Sequence, residues 1–359
     1  MGNHRDRWAW IVCLALVVGC GDDDTSADPD TGTEPPADGG GTSDAGGDSG
    51  VGDRDSGTGD PDSGTGSDGD GDFTIGPEYS DAPEYAAAAE APQGVVQTFE
   101  IPSNEATHFT TDVETGEPFT RVVNVWIPEQ HVSGETVPFI VLQDGSDYVY
   151  DLVPALQALI HQGRIPVLVA IAVDAAPGGA VGQRNLEYDT LSEEYVSFVE
   201  DDVLPRVRER YSLELTSDPE GRAAMGGSSG GAAAFTMGWF RPDLYRRILT
   251  YSGTFVNQRP DATYPRSAWE YHEHLIGETE PKPLRVFLEA GENDFDWNTG
   301  DDVYHGWLEA NRAMAAALAE RGYSYRFIYA RGAEHVDNRV IRETLPSALE
   351  WLWRGYPRP

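Results

Sequence analysis

From residue 95 onward the hydrophobic positions fall into two rhythms. Residues 95–101 and 121–127 alternate β-branched or aromatic side chains with polar ones, the period of a strand with one buried face. With residues 107–111 they predict an antiparallel start, joined by turns such as Glu114-Thr115-Gly116-Glu117. Further on, the apolar runs become short and unbroken, at 137–142, 166–173, 222–225, 247–251, 284–288 and 325–329. Such runs suit parallel strands covered on both faces. Helical spacing separates them, over 151–161, 192–211, 229–239, 303–321 and 342–353. The alternation predicts an α/β fold: a doubly wound, mostly parallel sheet with antiparallel N-terminal strands and right-handed crossovers. Ligands of such sheets lie beyond the carboxyl ends of the strands.

The first residues follow a different pattern. Arg5 and Arg7 precede an apolar stretch from Trp8 to Val18 that is too short to span a bilayer, which reads as a secretory signal over 1–19. Its end, Leu16-Val17-Val18-Gly19-Cys20, resembles a bacterial lipobox, so Cys20 is the expected lipidated N-terminus of the mature chain. The only other cysteine, Cys13, is removed with the signal, which leaves no disulfide or cysteine-held metal. Several acyl chains together anchor a protein stably. The expected location is the cell envelope, on a membrane that Gly21 makes compatible with the outer one.

Residues 21–72 are dominated by Gly and Asp and carry almost no apolar side chain, so they cannot bury a core. Asp68, Asp70 and Asp72 alternate like the start of a calcium loop, but Phe73 stands where the turn glycine belongs. As a tether, the tract spans roughly 40 Å. It holds much of the acid behind the formal net charge of −36, and the remaining domain, 73–359, is acidic too. That balance, with no basic stripe, argues against nucleic acid as a partner.

Candidate chemistry centres on Gly226-Gly227-Ser228-Ser229-Gly230-Gly231. A serine with glycines two residues away on each side fits a sharp strand-to-helix turn that lifts the hydroxyl clear of the sheet. The pattern matches in two registers, on Ser228 and on Ser229. Ser228 is preferred because it keeps Ala223, Ala224 and Met225 together as the buried strand end, and it leaves Ser229 to donate its backbone N–H to an oxyanion.

A serine hydroxyl needs a histidine base, and the imidazole needs a carboxylate to fix its tautomer. His335 follows the last predicted strand and Asp294 the one before it, with Asp296 as the competing acid. The order Ser, Asp, His is that of the α/β-hydrolase fold. His272, His274 and His305 receive no role. A second oxyanion donor is expected after strand 139–142, in Gln143-Asp144-Gly145-Ser146, with the Ser146 N–H as the choice.

Several of these segments together resemble the enterochelin-esterase-like (esterase D type) branch of the α/β-hydrolases. They are the elbow with Ala234 to Asp243, then Tyr251-Ser252-Gly253-Thr254-Phe255, Gln143-Asp144-Gly145, Arg184 to Tyr188, Gly291-Glu292-Asn293-Asp294, and Gly332 to His335. The resemblance implies Ser228 as nucleophile, Asp294 as acid and His335 as base, acting through an acyl-enzyme without metal or organic cofactor.

The expected substrates are carboxylic esters, free or attached to polysaccharide. A ferric catecholate is strongly anionic, so turning one over requires local cations, for which Arg184, Arg259 and Arg331 form a candidate basic rim. Feruloyl or acetyl esters on polysaccharide are the alternative, with Trp297 and Trp307 available to stack on rings. A different class of function is a surface binding protein that keeps the scaffold without the chemistry.

Overall fold

The computed structural model describes residues 69–176, 182–257, 267–295 and 306–358. The signal, Cys20 and nearly all of the acidic tract therefore lie outside the described residues. The first strand, β1 (Gly71–Ile75), starts two residues before the expected domain start and is followed by the short helix α1 (Pro83–Ala87). Asp70 fixes its entry by accepting from Ser324, from Trp351 Nε1 and from Arg354.

Strands β2 (Val95–Pro102) and β3 (Thr120–Ile127) pair antiparallel, as the alternation predicts. The 107–111 segment between them is not a strand. Its backbone is satisfied by side chains instead: Asp202 accepts the N–H groups of Thr107 and His108, and Ser103 Oγ donates to the Thr110 carbonyl.

The chain then alternates strands and helices. The strands are β4 (Thr136–Val137), β5 (Phe139–Gln143), β6 (Val169–Val173), β7 (Glu214–Leu215), β8 (Arg222–Gly227), β9 (Arg247–Tyr251), β10 (Arg285–Asn293) and β11 (Ser324–Glu334). The helices are α2 (Gly145–His161), α3 (Gln183–Tyr188), α4 (Glu194–Phe198), α5 (Leu204–Tyr211), α6 (Ser229–Phe240), α7 (Ile276–Glu278), α8 (Trp307–Glu320) and α9 (Asn338–Leu352). The expected single helix over 192–211 is broken by a π-turn, Val199–Val203. Pro205 follows that turn and has no N–H to give to the preceding one.

Nine strands form one sheet in the order β1-β11-β10-β9-β8-β5-β6-β3-β2, while β4 and β7 make a small parallel pair. All pairings in the large sheet are parallel except β2 with β3 and β3 with β6. The fold is an α/β-hydrolase. Because the central strands are covered on both faces, their side chains feed two apolar layers. One holds Val141, Ile171, Ala224 and Leu288 with Phe235 of α6; the other holds Ile140, Leu142, Met225 and Phe287 with Leu152 and Leu345. That arrangement leaves the carboxyl ends of β5, β8, β10 and β11 to build a site.

Candidate active site

At the carboxyl end of β8 the chain turns directly into α6, and Ser228 is the residue at the turn. Its backbone has φ 54° and ψ −129°, a region that costs a non-glycine residue about 1–3 kcal/mol. Neighbouring hydrogen bonds hold it there. The Ser228 N–H donates to the Tyr251 carbonyl at 2.9 Å, and the Ser228 carbonyl accepts from Gly231 at 2.9 Å and Thr254 at 3.0 Å. The glycines are required by space as well: a Cβ at Gly226 would lie 2.3 Å from the Gly230 carbonyl carbon. Ser229 is different. It is buried, and its Oγ donates to Asp189 at 3.0 Å, while its N–H, as the first in α6, has no intrahelical acceptor. Of the two sequence registers, the strained turn belongs to Ser228.

β10 and β11 run parallel up to Gly291 and Ala330, slip register, and pair once more at Asn293 and Glu334. The next residue on each strand is therefore delivered beside the other. Those residues are Asp294 and His335, and His335 Nδ1 lies 2.5 Å from Asp294 Oδ1. Asp294 is fully buried, and its Oδ1 also accepts the Phe295 N–H at 2.7 Å. Phe295 stacks on the imidazole with ring centres 4.0 Å apart, and Trp307 meets it edge-on at 5.7 Å. The loop is pinned by Ser252 Oγ, which accepts the N–H of Val336, a β-branched residue held at φ 47°. Val336 also reaches the elbow, where a Cβ added to Gly227 would lie 2.9 Å from its Cγ1. The histidine loop and the serine turn thus pack together.

The family model named Esterase matches residues 118–350, well over half of the chain. The chain belongs to the esterase family. Its α/β-hydrolase fold is shared with solved enterobactin and ferulic acid esterases. It is 26% identical over 243 residues to the iron(III) enterobactin esterase of Dickeya dadantii, which covers 64% of this chain and 52% of that protein. It is 22% identical over 228 residues to the YbbA protein of Bacillus subtilis, covering 60% of this chain and 85% of that one. This esterase spans about half the length of the enterobactin esterases it matches. Among solved structures, the enterobactin esterase of Shigella flexneri superposes with a TM-score of 0.54 at 21% identity, covering 75% of this chain and 62% of that one. A ferulic acid esterase also gives 0.54, at 18% identity, over 73% of this chain and 98% of its own.

In this esterase the turn from β5 into α2 corrects one expectation. The Ser146 N–H is not a free oxyanion donor. It donates to Asp174 Oδ1 at 2.6 Å, while Ser146 Oγ donates to Asp174 Oδ2 at 2.7 Å. An amide has a single proton to give, and here a carboxylate takes it. Burial raises the Asp174 carboxyl, and the Ser146 hydrogen bonds offset part of that rise. Asp147 is likewise raised by burial, with the charges of Asp144 and Asp174 adding to it.

Of the candidate basic rim, Arg184 and Arg331 are among the described residues. Arg184 is turned inward, with Nε and Nη2 on the two Asp144 oxygens at 3.0 and 2.8 Å and its guanidinium over the Tyr188 ring. Burial by itself would lower the Arg184 pKa, and the Asp144 charge outweighs it to give a net rise. Its cation is spent on holding Asp144, the residue that leads into α2. Arg331 donates to the Gly76 carbonyl at 2.6 Å. Arg259, Asp296, Trp297 and His305 lie outside the described residues. His272 contacts the Phe255 carbonyl and His274 faces Glu278.

Among the described residues no cluster of His, Cys, Asp and Glu is arranged to hold a metal ion. A cavity of about 320 Å³ lies between the 109–113 segment and α3, lined by Phe109, Val113, Gln183, Leu186 and Thr190, with neither Ser228 nor His335 in its lining. Sequence reasoning missed Ser252, Thr254 and Phe295. The first two stand in the Tyr251-to-Phe255 segment that carried the resemblance, and Phe295 directly follows Asp294, so adjacency was the available signal. Glu289 was missed as well: it is fully buried on β10, and burial, then the charges of Asp294 and Asp337, push its carboxyl well above the ordinary range.

Proposed function

We propose that the chain is a serine esterase working through Ser228, His335 and Asp294. The single observation that carries this reading is the Asp294–His335 hydrogen bond on a loop packed against the strained Ser228 turn. His335 Nδ1–H donates to Asp294, which leaves Nε2 as the base. Ser228 Oγ attacks the ester carbonyl and its proton passes to Nε2; the protonated imidazole then returns that proton to the departing alcohol. Water repeats the sequence on the acyl-enzyme and releases the acid. The Ser229 N–H, at the positive end of α6, faces the developing oxyanion.

The substrates this reading favours are neutral or phenolic carboxylic esters rather than strongly anionic ones. Asp144 before α2, Asp147 in its first turn and Asp174 after β6 lie close together, and the cation next to them, Arg184, is already neutralised by Asp144. We further propose that the mature chain is tethered to a bacterial membrane through a lipid on Cys20, with the acidic tract as spacer.

Assay of the full chain on p-nitrophenyl acetate and butyrate, with Ser228→Ala beside it, tests the mechanism. Turnover should vanish in the variant, and turnover that survives overturns the assignment. Comparing feruloyl esters, acetylated xylan and a ferric catecholate ester tests the substrate class; preference for the catecholate would refute it. Cys20→Ala should move the protein from the membrane to the soluble fraction.

A further inference from the structure

Among the described residues, the side-chain hydrogen bond of Ser228 is to Thr254 rather than to His335: the two hydroxyl oxygens lie 3.3 Å apart. Thr254 is buried, and its Oγ1 also accepts from Trp307 Nε1 at 3.3 Å. The direction of this chain follows from the chemistry of its first member. An indole N–H only donates, so Thr254 receives that proton on a lone pair and must place its own proton elsewhere. A buried hydroxyl proton needs an acceptor, and Ser228 Oγ is the partner in reach. The order Trp307 → Thr254 → Ser228 leaves the Ser228 proton free for Nε2 of His335, and each bond polarises the next.

The backbone fixes the same arrangement. The Thr254 N–H donates to the Ser228 carbonyl at 3.0 Å, and Asn311 Nδ2 bridges the Gly253 carbonyl and the Trp307 carbonyl, each at 2.9 Å. Asn311 is fully buried, so α8 is tied to the loop after β9 through a side chain shielded from water. Trp307 therefore touches both ends of the proposed machinery, with its ring edge against His335 and its N–H feeding the nucleophile through Thr254.

We propose that Thr254, oriented by Trp307, donates a hydrogen bond to Ser228 Oγ and supports the charge on that oxygen when it attacks and again when it leaves in deacylation. This rests on Ser228 being the nucleophile. During attack the Oγ–carbonyl bond forms as the Oγ proton passes to His335, and Thr254 keeps its own proton throughout. In deacylation the bond from the acyl carbon to Oγ breaks, and the same hydrogen bond stabilises the oxygen until His335 returns the proton.

The test uses the full chain, p-nitrophenyl acetate turnover and the rate of labelling by a fluorophosphonate, which reads nucleophile reactivity without reference to the natural substrate. Thr254→Val keeps the shape and removes the hydroxyl. It should lower kcat and the labelling rate roughly tenfold with KM little changed, the scale of one hydrogen bond to a charged oxygen. Thr254→Ser should restore most of the loss, and the pH at which activity rises should stay where it is in the parent, because the base is untouched. Trp307→Phe keeps Thr254 in place but removes the donor, and should give a smaller loss that is less than additive with Thr254→Val. Parent-like kcat and labelling in Thr254→Val, or a failure of Thr254→Ser to restore them, overturns the proposal. If Thr254→Val does not fold, Trp307→Phe decides, and an unchanged labelling rate there overturns it. Ser228→Ala, run alongside, separates the two levels: loss of turnover there with no effect at Thr254 refutes only the donor, whereas turnover that survives in Ser228→Ala refutes the nucleophile and the donor together.

Discussion

His335 Nδ1 and Asp294 Oδ1 lie 2.5 Å apart although 41 residues separate them in the chain. The contact is produced by a register slip: β10 and β11 lose alignment after Gly291 and recover it for one pair, Asn293 with Glu334, just before the two residues. Asp294→Asn should preserve the fold while allowing the wrong imidazole tautomer, lowering kcat by about ten-thousandfold. Steady-state kinetics on p-nitrophenyl esters measure this, with Asp296→Asn as the comparison expected to keep activity near that of the parent.

Ser228 and Ser229 are neighbours with opposite surroundings, and their alanine variants should diverge. Ser229→Ala loses the hydrogen bond to Asp189 but keeps the backbone N–H, so kcat should stay within severalfold while stability falls by about 1–2 kcal/mol. Ser228→Ala should show the reverse, with turnover abolished and urea unfolding close to that of the parent. Loss of turnover in Ser229→Ala alone would reverse the two serines.

Behind α3 lies a buried ion pair. Arg121 donates to both Glu187 oxygens, and the side chains are 2% and 0% exposed. Gln183 also donates to Glu187, so the pair helps hold the helix that carries Arg184 and Tyr188 toward Asp144. Glu187→Gln strands the Arg121 charge and should cost about 3–5 kcal/mol in chemical denaturation. The double variant Arg121→Met with Glu187→Leu should recover most of it, because the cost lies in the unpaired charge rather than in the lost pair.

Glu289 sets a pH dependence of stability. Its folded pKa is raised above the usual 4.5, first by burial and then by the charges of Asp294 and Asp337. The sign follows from proton binding. Between the unfolded and folded values the native state holds a proton that the unfolded chain has released, so stability falls as pH rises, by about 1.4 kcal/mol per pH unit over that window. The stabilising share is fully present below the unfolded value. Glu289→Gln is neutral at every pH and should remove this slope, giving a larger gain in Tm at pH 8 than at pH 5. Equal effects at both pH values would show that Glu289 is not held protonated.

Much of this was legible beforehand, for identifiable reasons. The buried strands 139–142, 222–225 and 247–251 announced themselves because parallel strands covered on both faces need unbroken apolar runs. The turn at Ser228 was legible because its φ and its close approach to Gly230 admit few sequences. β1 was not, since Gly71-Asp72-Phe73-Thr74-Ile75 is short and continues an acidic tract; it becomes a strand only because β11 offers an edge and Asp70 finds Ser324, Trp351 and Arg354. The 107–111 segment failed the other way, with strand-like residues whose backbone groups were claimed by Asp202 and Ser103.

By itself, then, the sequence determined the layered α/β fold, the strained turn at Ser228 and the chain order in which Ser228, Asp294 and His335 follow their strands, because each depends on local periodicity or on a backbone geometry that few residues tolerate. Tertiary structure alone decided what every polar group spends its hydrogen bonds on. Ser146 gives its amide to Asp174, Arg184 its charge to Asp144, and Ser228 shares its hydroxyl with Thr254. These partners stand 28, 40 and 26 residues apart, and a donor is free or engaged only according to what folding brings within 3 Å or so of it.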